Sequence, residues 1–368
     1  MTPISNLLKL MVENKASDLY ITVGVEPMLR INGVLSPCVN EKLTDEDAIN
    51  LAKSVMNEKE QKNFEETNEE NLALDYNELG RFRVNVFKQK NQVGMVIRHI
   101  NAVIPSIEEL KLPVLLKDII MLNRGLVLIV GATGSGKSTS LASMIDYRNE
   151  NRTGHILSIE DPIEFVHFHK KSIITQREVG MDTMDYKIAL KNALRQAPDV
   201  VFIGEIRDEE TMNAAINFSE TGHLCLATLH STNSNQAIER IVNFFPPEKH
   251  AQVYMDLSLN LRALISQRLI PTVDGKRRVA LEIMLDSERI KDLIHKGEVS
   301  QLKEAIEKGE SSGMKTFDSY LYDLYKEGAI SLETALANAD SENNLRLKIK
   351  FEEEGKEGDS ETGLRLNF

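Results

Sequence analysis

The chain has 368 residues, with 44 Lys and Arg against 56 Asp and Glu, so its formal net charge is −12. An apolar share of 42% excludes wholesale disorder and supports about two domains. The acidic balance speaks against a protein that coats nucleic acid nonspecifically, because that role needs a basic surface to release counterions from phosphates.

The chain opens with an amphipathic stretch whose Ile4, Leu7, Leu8 and Met11 recur at helical spacing. The runs DLYITV and MLRINGV follow and read as strands, and a second helix is predicted at TDED, where Thr44 can cap and Asp47 stands three residues on. NLALDY and RFRVNVF alternate at period two around a turn expected at Glu78 to Gly80, and GMVIRHI supplies a further strand. Residues 1–100 thus read as a small α+β module. Pro105 and Pro113 punctuate a looser stretch, so a linker is placed at 101–112.

From 113 to 340 the pattern becomes α/β. GLVLIVG, HILSIED, DVVFIGE, LCLATLH and RVALEIML are continuous apolar runs, as expected of strands buried on both faces of a parallel sheet. A helical segment from about Thr316 to Ala339 closes this domain. Residues 341–368 are expected to be a flexible acidic tail, since EEEGKEGDSE holds six acids against one Lys. No basic leader with an apolar core opens the chain, and no run reaches the ~18 apolar residues of a membrane span. The expected location is therefore cytoplasmic or peripheral to a membrane.

GLVLIV runs directly into Gly131, Ala132, Thr133, Gly134, Ser135, Gly136, Lys137 and Ser138, which match G-x-x-x-x-G-K-[ST], and a helix is expected to open at Thr139. Glycines let successive backbone N–H groups turn around an anion, Lys137 can reach outer phosphates, and Ser138 can ligate Mg²⁺. The ligand this predicts is ATP. Turnover needs carboxylates at the tips of neighbouring strands, where Glu160, Asp161, Glu164 and Glu205 stand as candidates for activating water or holding the metal. His223 and His230 bracket LCLATL and suggest a sensor of the γ-phosphate or of a neighbouring subunit. His167 and His169 read as part of a solvated HFHKK stretch, and Cys38 and Cys225 as plain small core residues.

The ordered set GATGSGKS, IEDPIEF, LRQAPDVVFIGEIRD and TGHLCLATLH resembles the type IV pilus retraction ATPases, the PilT and PilU family. That resemblance implies a hexameric ring of subunits, each with a PAS-like amino-terminal domain and a RecA-like ATPase domain. It makes Glu164 the general base, with Glu160 as the alternative, and Glu205 the metal-side acid. His223 and His230 become a histidine box. It also nominates Arg81, Arg83 and Arg98 as residues that approach the nucleotide. The implied partners are a PilT-like ATPase and an inner-membrane pilus platform protein, at the cytoplasmic base of the pilus, with no nucleic acid.

Arg289 to Lys296 keeps the apolar spacing of the AIRNLIRE-like motif of PilT proteins but not its letters. LRQAPD, FFPPE, LIPTVDGKRR and the extension past residue 345 look more like PilU. The resemblance therefore points to an accessory motor, and alternatively to a nucleotide-holding ring scaffold that transmits a partner's torque. Two isolated cysteines lack the four-cysteine zinc element of the assembly-type ATPases.

Overall fold

A computed structural model describes residues 2–76, 79–100 and 103–361, with side chains to residue 351. It divides into two compact units, one of residues 1–104 with 163–168 and one of 105–162 with 169–368.

The first unit carries helices α1 (Ile4–Glu13), α2 (Asp45–Val55) and α3 (Glu58–Thr67). Its strands are β1 (Asp18–Thr22), β2 (Met28–Ile31), β3 (Val34–Pro37), β4 (Glu69–Tyr76), β5 (Gly80–Gln89) and β6 (Gln92–Ile100). They form one antiparallel sheet in the order β3-β2-β1-β6-β5-β4. Alternation decides its faces: Phe82, Val84 and Val86 of β5 point into a core shared with Leu7, Leu8 and Met11 of α1, while Arg81, Arg83 and Asn85 take the opposite face. Thr44 caps α2 as its sequence predicts, its Oγ1 accepting from the Asp47 N–H while the Asp47 carboxylate accepts from the Thr44 N–H. Glu78 of the expected turn, and Asn101 and Ala102 of the expected linker, lie outside the described residues. The rest of that linker is not free chain, because Ile107 and Leu112 are buried in the core of the second unit.

The second unit contains strands β7 (Gly125–Val130), β8 (Gly154–Glu160), β9 (Ser172–Glu178), β10 (Val200–Ile203), β11 (Leu224–Leu229), β12 (Leu261–Pro271) and β13 (Arg277–Leu285). Its helices are α4 (Leu115–Ile120), α5 (Lys137–Asn151), α6 (Tyr186–Ala193), α7 (Glu209–Glu220), α8 (Ser234–Val242), α9 (His250–Asn260), α10 (Glu288–His295), α11 (Leu302–Lys308), α12 (Phe317–Lys326), α13 (Leu332–Asn338) and α14 (Glu342–Glu361). The sheet order is β13-β12-β7-β11-β10-β8-β9. All neighbours are parallel except β12 and β13. Every residue of β7, β10 and β11 is buried, and apolar clusters pack on both sheet faces.

Four expectations need correction. RVALEIML is an antiparallel edge strand, because a tight turn in which Thr272 N–H donates to Lys276 C=O folds β13 back on β12. The segment 316–339 is two helices: the chain turns at Gly328 and restarts where Ser331 Oγ accepts from the Thr334 N–H. The phosphate-loop helix begins at Lys137, two residues before Thr139, because Gly136 takes the left-handed conformation that lets the loop enter the helix. The stretch from residue 341 is not a tail from its start, since α14 buries Leu345 and Ile349, four residues apart and hence on one helix face. Ending the chain at Asn344 is accordingly expected to cost about 2–5 kcal/mol, the range for losing large core side chains, read as a lower urea midpoint.

Candidate nucleotide site

The parallel strands β7, β11, β10 and β8 end along one edge of the second sheet, where β7 leads into the glycine-rich loop and Glu160, Glu205 and His230 stand at the tips of β8, β10 and β11. That edge is where ligands bind in open α/β sheets. Beyond β7, residues 131–136 form the loop and Lys137 opens α5. Lys137 is only 8% exposed, and its Nζ donates to the carbonyls of Gly131 (2.8 Å) and Ala132 (3.1 Å). Burial lowers the pKa of its ammonium, and the Glu205 charge partly opposes this. A side chain at Gly131 would place its Cβ 2.5 Å from Ser135 Oγ and 2.6 Å from the Gln267 carbonyl oxygen, so only glycine fits. Ala132, Thr133, Gly134 and Ser138 are exposed, and Ser138 and Thr139 lie in the first turn of α5, whose unpaired N–H groups and dipole favour an anion.

His230 follows β11 and bridges two of these residues. Its Nε2 lies 3.1 Å from Glu205 Oε1 and its Nδ1 lies 3.5 Å from Lys137 Nζ. With the proton on Nε2 the ring donates to the carboxylate and accepts from the ammonium, satisfying both contacts. Glu205, just beyond β10 and 19% exposed, also accepts from Arg207 Nε at 2.8 Å, and Arg207 reaches Asp161 Oδ2 at 3.2 Å. Glu160 ends β8 buried, its Oε1 accepting from Ser158 Oγ (2.6 Å) and Gln176 Nε2 (3.2 Å). Among the described residues no three His, Cys, Asp or Glu side chains converge as a protein-only metal cluster. A hydroxyl at Ser138 and a carboxylate at Glu205 nevertheless fit the way Mg²⁺ is held beside phosphates, through one or two protein oxygens and several waters.

Other predicted residues stand elsewhere. His223 precedes β11, opposite the end that carries His230, and its backbone carbonyl accepts from the N–H of Gly125 at the start of β7. Six strand residues, or about 20 Å, separate the two ends, so one chain does not bring His223 to its own phosphate loop. Its Nδ1 contacts Thr221 Oγ1 and the Phe218 carbonyl, and its ring packs edge-on against Phe218. His169 is exposed and accepts from the Ile174 N–H, while His167 belongs to the segment that groups with the first unit. Cys225 is buried in β11.

Glu164 also belongs to residues 163–168 of the first unit. The predicted arginines are there too: Arg83 pairs with Arg98 across β5 and β6, and Arg98 pairs with Asp18, which pairs with Arg30. Side chains in one cross-strand row share a face, so Arg30 and Arg98 flank the buried Asp18, and Arg83 stands on the far side of Arg98. Arg98 Nε donates to Asp18 Oδ1 at 2.8 Å, and that bond raises the guanidinium pKa, with the charges of Asp18 and Glu164 adding to it. Arg81 lies two residues from Arg83 on the same face.

A model of the Type II/IV secretion system protein family matches residues 2–325. The Pseudomonas aeruginosa type IV pilus ATPase PilU is 55% identical over 96% of this chain and 92% of its own length. The chain belongs to the type IV pilus retraction ATPase family. PilT of the same organism, a type IV pilus retraction ATPase, is 42% identical over 91% of this chain and 98% of its own. A crystal structure of the pilus retraction motor PilT with bound ADP superposes with a TM-score of 0.87 at 41% identity, covering 94% of this chain and 99% of that one. The Legionella pneumophila ATPase DotB gives 0.73 at 27% identity over 92% and 97%. Among the described residues of this retraction-ATPase family member, no helix is long and apolar enough to cross a membrane.

Three residues at this edge escaped the sequence reading. Arg207 stands within GEIRD, where a cation two residues from Glu205 is a visible signal. Tyr186 opens α6 with its buried hydroxyl beside Gly204, where a Cβ would come within 3.0 Å, and burial raises the pKa of the phenol. Gln267 comes from β12, and nothing in the sequence connects it to a loop more than 130 residues earlier.

Proposed function

We propose that this chain is the ATP-hydrolysing subunit of a homo-hexameric type IV pilus motor, an accessory retraction ATPase that works with a PilT-like partner. It would act through the inner-membrane platform protein at the cytoplasmic base of the pilus. The observation that carries this reading is the continuous polar chain from Lys137 through His230 to Glu205, on the sheet edge that also bears the phosphate loop. The family membership and the similarity to PilU support the cellular role.

In this reading the N–H groups from Gly131 to Ser138 hold ATP phosphates, and Lys137 leaves its loop carbonyls for the outer phosphate oxygens. Ser138 and Glu205 would hold Mg²⁺, which when bound would supply positive charge to offset that of the phosphates. His230 couples the Lys137 ammonium to the Glu205 carboxylate, so a change at one reaches the other. Glu164 takes the proton of the attacking water, with Glu160 as the alternative. Arginines 81, 83 and 98 of the PAS-like unit stabilise phosphate charge, and His223 acts toward a neighbouring subunit.

Glu164→Gln separates base from scaffold. In cells with an active PilT-like partner, the variant is expected to reduce pilus retraction by at least tenfold, measured as twitching motility and retraction events. Unimpaired retraction would instead favour a ring that transmits torque without its own turnover. The same loss with Glu160→Gln alone would move the base assignment to Glu160.

A further inference from the structure

We infer that Gln267 is a positioning residue of the nucleotide site: from β12 it fixes the Ser135–Gly136 peptide so that the Gly136 N–H is ready for a phosphate. This rests on the nucleotide reading of the loop. Ser266 of β12 pairs with Val130, the last residue of β7, so Gln267 arrives beside the point where the loop begins. It is buried, at 1% exposure, and its Nε2 donates to the Ser135 carbonyl oxygen at 2.7 Å. The orientation of the amide is fixed by chemistry, since the opposite one would set its carbonyl oxygen against another carbonyl.

The consequence follows from peptide geometry. In a planar trans peptide the C=O of Ser135 and the N–H of Gly136 point to opposite sides. Anchoring the carbonyl on β12 therefore turns the Gly136 N–H away from β12. Gly136 has φ of +86°, and a peptide next to glycine flips at low cost unless something holds it. Two close approaches show how tightly β12 backs the loop. A Cβ at Gly136 would meet Gln267 Nε2 at 2.9 Å, and one at Gly131 would meet the Gln267 carbonyl oxygen at 2.6 Å. Nε2 keeps its bond to Ser135 although, among the described residues, the buried Oε1 has no hydrogen-bond partner, an arrangement that a purely structural glutamine would have reason to avoid.

Because the peptide faces both substrate and product phosphates, losing the anchor weakens ground state and transition state together, and the loss falls on KM rather than on kcat. Calorimetric titration of the full chain with Mg-ADP and with AMP tests this, together with ATP turnover, for Gln267→Met and Gln267→Glu. Met keeps the length without a donor, and Glu, assayed at a pH where it is ionised, keeps the shape but presents only acceptors to the Ser135 carbonyl. Both are expected to bind ADP about tenfold more weakly, or ~1.4 kcal/mol, with a similar rise in KM for ATP and a clearly smaller loss for AMP. Unchanged ADP affinity in either folded variant, or equal losses for ADP and AMP, would overturn the proposal. An error in the nucleotide reading itself would show differently, as a wild-type chain that does not bind ADP.

Discussion

Lys137→Ala is expected to lower ATP turnover by about 10²–10³-fold, the ~3–4 kcal/mol typical of removing one preorganised group that meets transition-state charge. The structure explains why so large a loss should come without a comparable loss of fold. Among the described residues Lys137 Nζ hydrogen-bonds to the Gly131 and Ala132 carbonyls and meets His230, all within the loop and the strand tip beside it. Its ammonium is largely desolvated, and that cost leaves with it on truncation, offsetting the two lost hydrogen bonds. Thermal midpoints of variant and wild type should therefore stay close. A variant that unfolds early would mean the lysine holds the loop together rather than serving the phosphate.

Glu205→Gln is expected to cut turnover by a similar ~10²-fold while ADP binding changes by only a few-fold. The carboxylate accepts two donors at once, Arg207 Nε on one oxygen and His230 Nε2 on the other. Gln has nearly the same shape but only one acceptor, so its amide N–H₂ must face either the guanidinium or the imidazole, donor against donor. Either choice breaks the path from Lys137 to Arg207 and removes a negative charge from the expected metal position. Turnover measured against Mg²⁺ concentration checks this, and the variant curve should shift to higher Mg²⁺. Wild-type kcat at ordinary Mg²⁺ would show that Glu205 only caps its strand.

The site was legible where its residues are consecutive. Residues 131–138 announce their chemistry because one turn of backbone builds the whole cradle, and Thr44 with Asp47 announces a helix start for the same reason. Residues at strand tips were half legible: the apolar runs before His230 and Glu205 predict strands, but their meeting depends on strand order, which puts β11 between β7 and β10. His223 shows the limit of such reasoning, since flanking one strand is the arrangement that puts two histidines at opposite ends of it. β13 was misjudged because a buried antiparallel edge strand is as apolar as a parallel one. Only the turn at Asp274 and Gly275 distinguishes them. β9 is not legible because SIITQRE holds only two apolar residues, Ile173 and Ile174, too short a run to mark a strand. The acidic letters after residue 351 drew attention from Leu345 and Ile349, whose spacing already marked a packed helix face.

Nucleotide binding by the phosphate loop is the claim on which the rest depends, and calorimetric titration of the purified chain with Mg-ADP, beside Lys137→Ala, tests it most directly. The account predicts saturable binding at one site per chain in the wild type, weakened at least tenfold in the variant at an unchanged thermal midpoint. Equal affinity in the two proteins, or no binding by the folded wild type, would contradict it.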